Sequence, residues 1–560
     1  MPKDDRGKFE QVIGRHGLLT DPIRYVAVTY SHRTISSMTI AQLLDQDFDT
    51  IPVLIRHHAS VQPQQIALRD AERALDYAAV DGWMDRIAAA LQRDGIAPRQ
   101  VVALCAANSI EYALVFLGCL RAGIAVAPLA PGAGAGALTA MLQDAGAQLV
   151  FIDTDAGSTL DQASTPVTIP RLTLDRLADW AAPAGSVPEP VTAQPDWPFN
   201  IIYSSGTTGT PKGIVQSNAM RWSHVHRATL SGYGPQATTL LSTPLYSNTT
   251  LVCFLPSLAL GGCVVLMPKF DVATYLALAA RYRVTHTMLV PVQYQRIMAH
   301  PDFDQVDLSA FHMKFCTSAP FAAALKADIL RRWPGGLIEY YGMTEGGGTC
   351  MLAAHEHPDK LHTVGQPAPD HDIRLIDDDG IEIAHGETGE VVGHSPAMMT
   401  GYFGQPQKTA EAEWFAPDGR RFIRTGDLGR FDDEGFLTLL DRKKDMIISG
   451  GFNLYPSDLE SVLRQHPGIA DVAVAGVPSE RWGETPVAFV VLRNDTTESA
   501  EQLLTWLNAR VGKMQRLAAV EIVTELPRSA IGKVLKRELR DHFASKAAML
   551  IAANKIEPQA

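Results

Sequence analysis

The sequence predicts an α/β protein: a large multi-subdomain N-terminal domain with parallel-rich sheets and a β-rich subdomain, then a small α+β C-terminal domain. Three observations carry that expectation. From about residue 54 helical and extended apolar patterns alternate; near residue 371 short strands joined by D-G and T-G turns take over; beyond residue 445 a compact unit of ordinary domain size follows. A chain of 560 residues also exceeds one ordinary core, so more than one domain is expected.

The elements follow in order. "YAAVDGWMDRIAAALQRDGI" spaces its apolar residues as a helix and leads into the strand "QVVALCA"; "SIEYALVFLGCLRAG" and "GALTAMLQDAG" read as helices, "IAVAPLA" and "AQLVFID" as strands. A Pro- and Ala-rich linker, "WAAPAGSVPEPVTAQPDWP" at residues 180 to 198, interrupts the pattern. Alternation resumes through "CVVLMPK", "VATYLALAARYR" and "THTMLVP". "HDIRLIDDDGIEIAHGETGEVVG" and "RFDDEGFLTLLDRKKDMIISGG" form the β-rich part. In the last unit "PSDLESVLRQH" and "SAEQLLTWLNARVG" are helical, and "IADVAVAGVP", "PVAFVVLR" and "AAVEIVTEL" extended. The expected division is an N-terminal extension over 1–50, a large domain over 51–443, a small domain over 444–545 and a tail over 546–560. The segment before Met38 has little patterned hydrophobicity, so Met38 is an expected alternative start.

Composition narrows the function. A net charge of -12 argues against a general nucleic-acid binder, which needs clustered Lys and Arg. Cys105, Cys119, Cys253, Cys263, Cys316 and Cys350 form no C-x-x-C pair, and this is the usage of buried thiols in a reducing cytosol rather than of a zinc site. No apolar stretch follows the mixed-charge N-terminus, so no signal peptide is expected. The most apolar run, "YALVFLGCLRAGIAVAPLAP", is broken by Arg121, glycines and prolines and reads as buried helix and strand, not a membrane span. A cytoplasmic protein is expected, with a homodimer left open.

"YSSGTTGTPKGIVQS", residues 203 to 217, gathers hydroxyls, glycines and one cation, Lys212, between strand-like flanks. Such a loop suits a nucleotide's phosphates, because glycines let backbone N–H groups approach oxygens while hydroxyls and lysine add donors. It is not a Walker A loop. Gly206 and Lys212 fit that spacing, but Pro211 and Gly213 occupy the positions of its second Gly and its Ser or Thr.

Four further stretches follow in order: "YYGMTEGG" at 340–347, "RTGDLG" at 424–429, "DRKKDMIISGG" at 441–451 and "PRSAIGKVLKREL" at 527–539. Taken with the loop, they resemble the acyl-adenylate-forming superfamily of acyl-CoA ligases, 4-coumarate:CoA ligases, luciferases and adenylation domains, over about residues 54 to 540. The resemblance implies an ATP-dependent acid:CoA ligase that forms AMP, with ATP, Mg²⁺ and coenzyme A as its small molecules. It implies that Ser204, Ser205, Gly206, Thr207, Thr208, Gly209 and Lys212 hold the β and γ phosphates. Tyr341 would lie against adenine, Ser318 and Ala319 would contact the base through backbone, and Glu339 would meet the base edge. Thr344 would bond the α-phosphate, and Glu345, with Thr208, would bind Mg²⁺. Asp427 and Arg442 would hold the ribose; by itself Asp427 reads as a turn aspartate. Lys533 would bridge the substrate carboxylate and α-phosphate. Lys444 falls on the hinge about which the small domain rotates, where some members have Asp, and Gly450 and Gly451 would leave room for pantetheine. Ile531 departs from the small polar residue common before Gly-Lys.

The acceptor and the acid are less defined. CoA is expected because the chain ends soon after the small domain; a carrier-protein thiol and a non-catalytic binding protein are the alternatives. For the acid pocket the resemblance implies Tyr246, Ser247 and Asn248, where many relatives have His after the aromatic, together with Met343 and the turn Gly346, Gly347 and Gly348. Three glycines read as a roomy wall. Leu251, Val252, Phe254, Val290, Cys350 and Met351 are lining candidates that read equally well as core. An elongated aryl, arylpropenoic or medium-chain fatty acid is expected over acetate.

Overall fold

A computed structural model describes residues 38–164, 167–204, 212–449, 452–479, 481–493, 496–529 and 532–554. The alternating segments build two sheets. In one, a run of parallel strands, Ile66–Arg69, Cys263–Leu266, Thr238–Leu241, His286–Leu289, Met313–Cys316 and Gly336–Tyr341, is followed by antiparallel Cys350–Ala353. The other centres on parallel Ala125–Pro128, Val101–Cys105 and Ala147–Ile152, and extends through Pro198–Ser204 to antiparallel Lys212–Ser217 and the short Gly401–Tyr402. Helices Tyr77–Arg93 and Ile110–Arg121 fill the space between them. The second is apolar almost all round and buried over ten of its twelve residues, as a helix enclosed by neighbours must be.

The β-rich part is an antiparallel sheet of Asp372–Ile376, Gly389–His394, Arg421–Phe431, Glu413–Phe415 and Leu437–Arg442. The last unit pairs Ile469–Ser479 with Gly483–Leu492 and backs them with helices Pro456–Leu463 and Ala500–Asn508 over Leu459, Leu463, Leu503 and Leu507. Fold class and element types therefore agree with the sequence reading.

Two expected edges shift. Leu43 and Phe48 are buried in the main core, so anchoring of the chain begins inside the segment assigned to the extension. At the other end the final helix runs Lys536–Asn554, past residue 545, because "KRELRDHFASKAAMLIAAN" contains no Gly or Pro to stop it. All six cysteines are free and buried. Among the described residues no helix is long and apolar enough to cross a membrane.

Candidate active site

The parallel strands end at a cavity of about 1080 Å³ whose wall is completed by the β-rich sheet and by the loop before the final helix. Clefts at the carboxyl ends of parallel strands are where open α/β sheets bind ligands. Strand Gly336–Tyr341 delivers the central turn. Its alternation sends Tyr340 into the cavity and Tyr341 toward the β-rich sheet, where the Tyr341 hydroxyl donates to Asp427 Oδ2 at 2.8 Å.

The turn after it is strapped down. Gln216 Nε2 donates to the Thr344 carbonyl at 2.8 Å, Met399 N–H to the Glu345 carbonyl at 2.7 Å, and Ser395 Oγ to the Gly346 carbonyl at 2.7 Å. Thr344 and Glu345 thereby face the cavity. Glu345 Oε1 accepts from the Tyr402 hydroxyl at 2.9 Å, and Lys212 Nζ stands 5.3 Å from the Tyr402 ring centroid. One aromatic ring thus positions both the acid and the cation. Tyr402 escaped the sequence reading because it comes from a two-residue strand, Gly401–Tyr402, whose only signal is its pairing with Lys212–Ser217.

Asp427 and Arg442 are cross-strand partners in the β-rich sheet, with Arg442 Nε 3.0 Å from Asp427 Oδ1. Both line the cavity, as do Lys444 and Lys533. Lys533 arrives on a tight turn in which Ser529 N–H donates to the Lys533 carbonyl and Gly532 N–H to the Ser529 carbonyl, each at 2.8 Å. Burial in the cleft, with Arg442 nearby, pulls the Lys533 ammonium below its usual range; Asp427 and Glu345 oppose that shift. Lys444 is likewise lowered, chiefly by burial. Ser318, at φ +83°, shares a 2.7 Å hydrogen bond between its Oγ and Thr249 Oγ1 and lines the cavity, with Ala319 just outside it.

Several sequence expectations need correction. Glu339 does not face the cavity: its carboxylate is buried against the Lys326 ammonium under the sheet, and burial raises its pKa although Lys326 pulls the other way. It is therefore spent on an ion pair and unavailable to a base edge. Tyr341 is not among the cavity-lining rings; Tyr340 is. Of the glycine turn only Gly346 reaches the cavity. A Cβ on Gly347 would stand 2.3 Å from Ile423 Cβ, and one on Gly348 2.3 Å from Ile373 Cδ1, so these glycines exist for close packing against the β-rich sheet rather than for pocket room. Ser247, Asn248, Met343 and Val252 line the cavity, while Tyr246 stands outside it and Leu251, Phe254 and Cys350 belong to the core. Ser205, Gly206, Thr207, Thr208, Gly209, Gly450 and Gly451 lie outside the described residues, as does the Ser204 side chain.

Comparison with known proteins agrees with this geometry. The AMP-binding enzyme family matches residues 55–403, and its C-terminal domain matches residues 458–533. An indoleacetate–CoA ligase of Aromatoleum aromaticum is 34% identical over 514 residues, covering 88% of this chain and 98% of that protein. A feruloyl-CoA synthase of an Amycolatopsis species is 33% identical over 497 residues, 87% of this chain and 97% of its own. Among solved structures, ATP-bound MatB from Rhodopseudomonas palustris superposes with a TM-score of 0.80 at 28% identity, over 88% of this chain and 99% of that one. With its fold, its cleft and the ordered motifs in agreement, the chain belongs to the AMP-binding enzyme family, as one of its AMP-forming acid–CoA ligases.

Proposed function

We propose that the protein activates an elongated, mostly apolar carboxylic acid, an aryl, arylpropenoic or medium-chain fatty acid, as its acyl-AMP and then passes the acyl group to CoA. The observation that carries this reading is the meeting, in one cavity, of Lys533 with Thr344, Glu345 and Lys212, beside a wall of Val252, Cys253, Met288, Phe315 and Tyr340. In the first step a carboxylate oxygen of the acid attacks the α-phosphorus of ATP and the bond to pyrophosphate breaks. Negative charge grows on phosphate oxygens, so the Lys533 and Lys212 ammoniums and the Thr344 hydroxyl act as its stabilisers. Mg²⁺ prefers one or two carboxylates plus phosphate oxygens, and Glu345, held through one oxygen by Tyr402, fits that need, with Thr208 as its partner. In the second step the CoA sulfur attacks the acyl carbon and AMP leaves with the bonding pair.

Lys533 in the cleft corresponds to the first step. For the thiol to enter, the small domain, 444–545, would turn about Lys444 and bring Gly450 and Gly451 to the pantetheine path, a rigid-body switch of a familiar kind. CoA is favoured over a carrier protein by the CoA ligases among the relatives, and an aryl acid by those that act on indoleacetate and ferulate. Free buried thiols suit a reducing cytoplasm.

The test is product analysis with ATP, Mg²⁺, CoA and a panel of aliphatic acids, benzoates, phenylacetates and hydroxycinnamates. AMP, pyrophosphate and an acyl thioester are expected, with the highest kcat/KM for an elongated acid. ADP with an acyl phosphate would overturn the chemistry, and acetate as best substrate would overturn the acid.

A further inference from the structure

Two arginines leave the helix Asn218–Ala228 and meet different fates. Arg221 is buried but satisfied, donating from Nε and Nη2 to Asn200 Oδ1 at 3.1 and 2.9 Å and also to Gln216 Oε1. Arg227, two turns on, lines the cavity with its guanidinium carbon 5.5 Å from the Tyr340 ring centroid. Among the described residues no Asp or Glu pairs with it. His224 and His371 stand near it, and burial drives both imidazoles toward their neutral forms, with Arg227 itself adding to the shift. The Tyr233 hydroxyl, buried in the same wall, has no hydrogen-bond partner beyond the weakly accepting Cys253 thiol beside it.

A cation in a cleft needs a reason. Lys212 and Lys533 have theirs in the phosphates and the reacting carboxylate, but Arg227 belongs to the acid-binding wall with Ser231, Tyr233 and Tyr340. Its place in the last turn lets it interact with the helix dipole, yet that contribution is small and any exposed surface position would supply it. A half-enclosed guanidinium over an aromatic face, with no carboxylate paired to it among the described residues, is instead the donor that a carboxylate fills, because its planar fork matches two carboxylate oxygens.

Resting on the ligase reading above, we propose that the acid carries a second carboxylate, at the end remote from the reacting one, and that Arg227 recognises it. The apolar middle of the substrate would lie along Val252, Met288 and Phe315, and Tyr340 would pack beside the charged end. Recognition of this kind discriminates, because the analogue lacking the acceptor leaves the half-enclosed guanidinium unpaired.

The experiment uses matched acids that differ only at the far end: octanoate against suberate, and 3-phenylpropionate against 3-(4-carboxyphenyl)propionate, with AMP release followed under ATP, Mg²⁺ and CoA. The dicarboxylates should lead their partners by about tenfold or more in kcat/KM. Arg227→Met should lower that ratio by about tenfold or more, chiefly through the KM of the diacid, so that the lead is lost, and Arg227→Lys should keep part of it. Melting temperatures show whether each variant is folded; if Arg227→Met is not, the wild-type ratio and Arg227→Lys decide. Equal or better use of the monocarboxylates by the wild type, or an equal loss for all acids in a folded Arg227→Met, overturns the inference while the ligase reading stands. If no acid releases AMP, that reading fails and the inference falls with it.

Discussion

The turn 342–348 and the loop 528–533 face one cavity, and they are held on opposite terms. A Cβ on Gly346 would stand 1.8 Å from the Ala397 carbonyl oxygen, and one on Gly347 2.3 Å from Ile423 Cβ and 3.1 Å from the Gly393 carbonyl oxygen, so both are close-packed seams. Gly532 is different. The nearest atom to a Cβ there is Val292 Cγ1 at 3.3 Å, then Val290 Cγ2 at 3.7 Å, and the loop's hydrogen bonds stay in its own turn or run from Arg528 Nη2 to Asp471 Oδ2 at 2.6 Å, inside the last unit. The turn that carries Thr344 and Glu345 is therefore packed backbone-close against neighbouring segments, whereas at Gly532 the loop that carries Lys533 leaves room for a Cβ beside Val290 and Val292. Groups that stay and a group that can leave are what a two-step reaction in one cleft requires.

The largest expected effect breaks the fixed side. Gly347→Leu forces a side chain into Ile423 and the Gly393 carbonyl, an overpacking that costs at least about 1–3 kcal/mol and more where backbone must move. The melting temperature should fall by several degrees, and turnover should drop for all acids alike. A change of acid preference without loss of stability would show that the glycine borders the pocket after all.

Next in size is removal of the group that arrives. Lys533→Ala should slow adenylate formation by about 10² or more, the scale for losing one charge stabiliser, while thioester formation from supplied acyl-AMP persists. Equal loss in both half-reactions would assign Lys533 a structural part. Because burial and Arg442 lower the Lys533 pKa, its amine loses the proton at a lower pH than an ordinary lysine. The sign is definite: kcat/KM for adenylation should fall as pH rises, starting below the ordinary lysine range, and Arg442→Gln should move that limb to higher pH. A limb that stays put in Arg442→Gln would show that the amine is not what titrates.

The same contrast explains what was legible in the sequence. Periodicity disclosed the sheets because helices such as Tyr77–Arg93 and strands such as Val101–Cys105 follow local apolar spacing. Motif order singled out Thr344, Glu345, Asp427 and Lys533 by residue type, and all four line the cavity. Direction and partnership were not legible. Glu339 and Tyr340 are neighbours on one strand, and only the position of Lys326 on the helix Ala323–Arg332 shows that the carboxylate turns away from the cavity. The glycines 347 and 348 resemble pocket glycines until the β-rich sheet is docked on them. Tyr402 and Arg227 have no motif, because their places in the cavity arise from contacts between distant segments rather than from local sequence.

The smallest effect sharpens the contrast from the side of the Lys533 loop. Gly532 has φ +79°, a left-handed conformation that costs a residue with a Cβ about 1–2 kcal/mol, and the space above it is ordinary van der Waals distance apart from the 3.3 Å approach to Val292. Gly532→Ala should therefore strain only the turn that presents Lys533. The melting temperature should fall less than in Gly347→Leu, because the strain is confined to one turn. Adenylate formation should fall by about tenfold, through misplacement of the ammonium, and thioester formation from supplied acyl-AMP should stay near normal. Comparing stopped-flow rates of the two half-reactions in this variant with those of Lys533→Ala tests the argument. If Gly532→Ala is as slow as Lys533→Ala in the first step, the loop seats rigidly against Val290 and Val292 and the contrast between a fixed turn and a departing loop fails. If instead it melts as early as Gly347→Leu, the loop is part of the core.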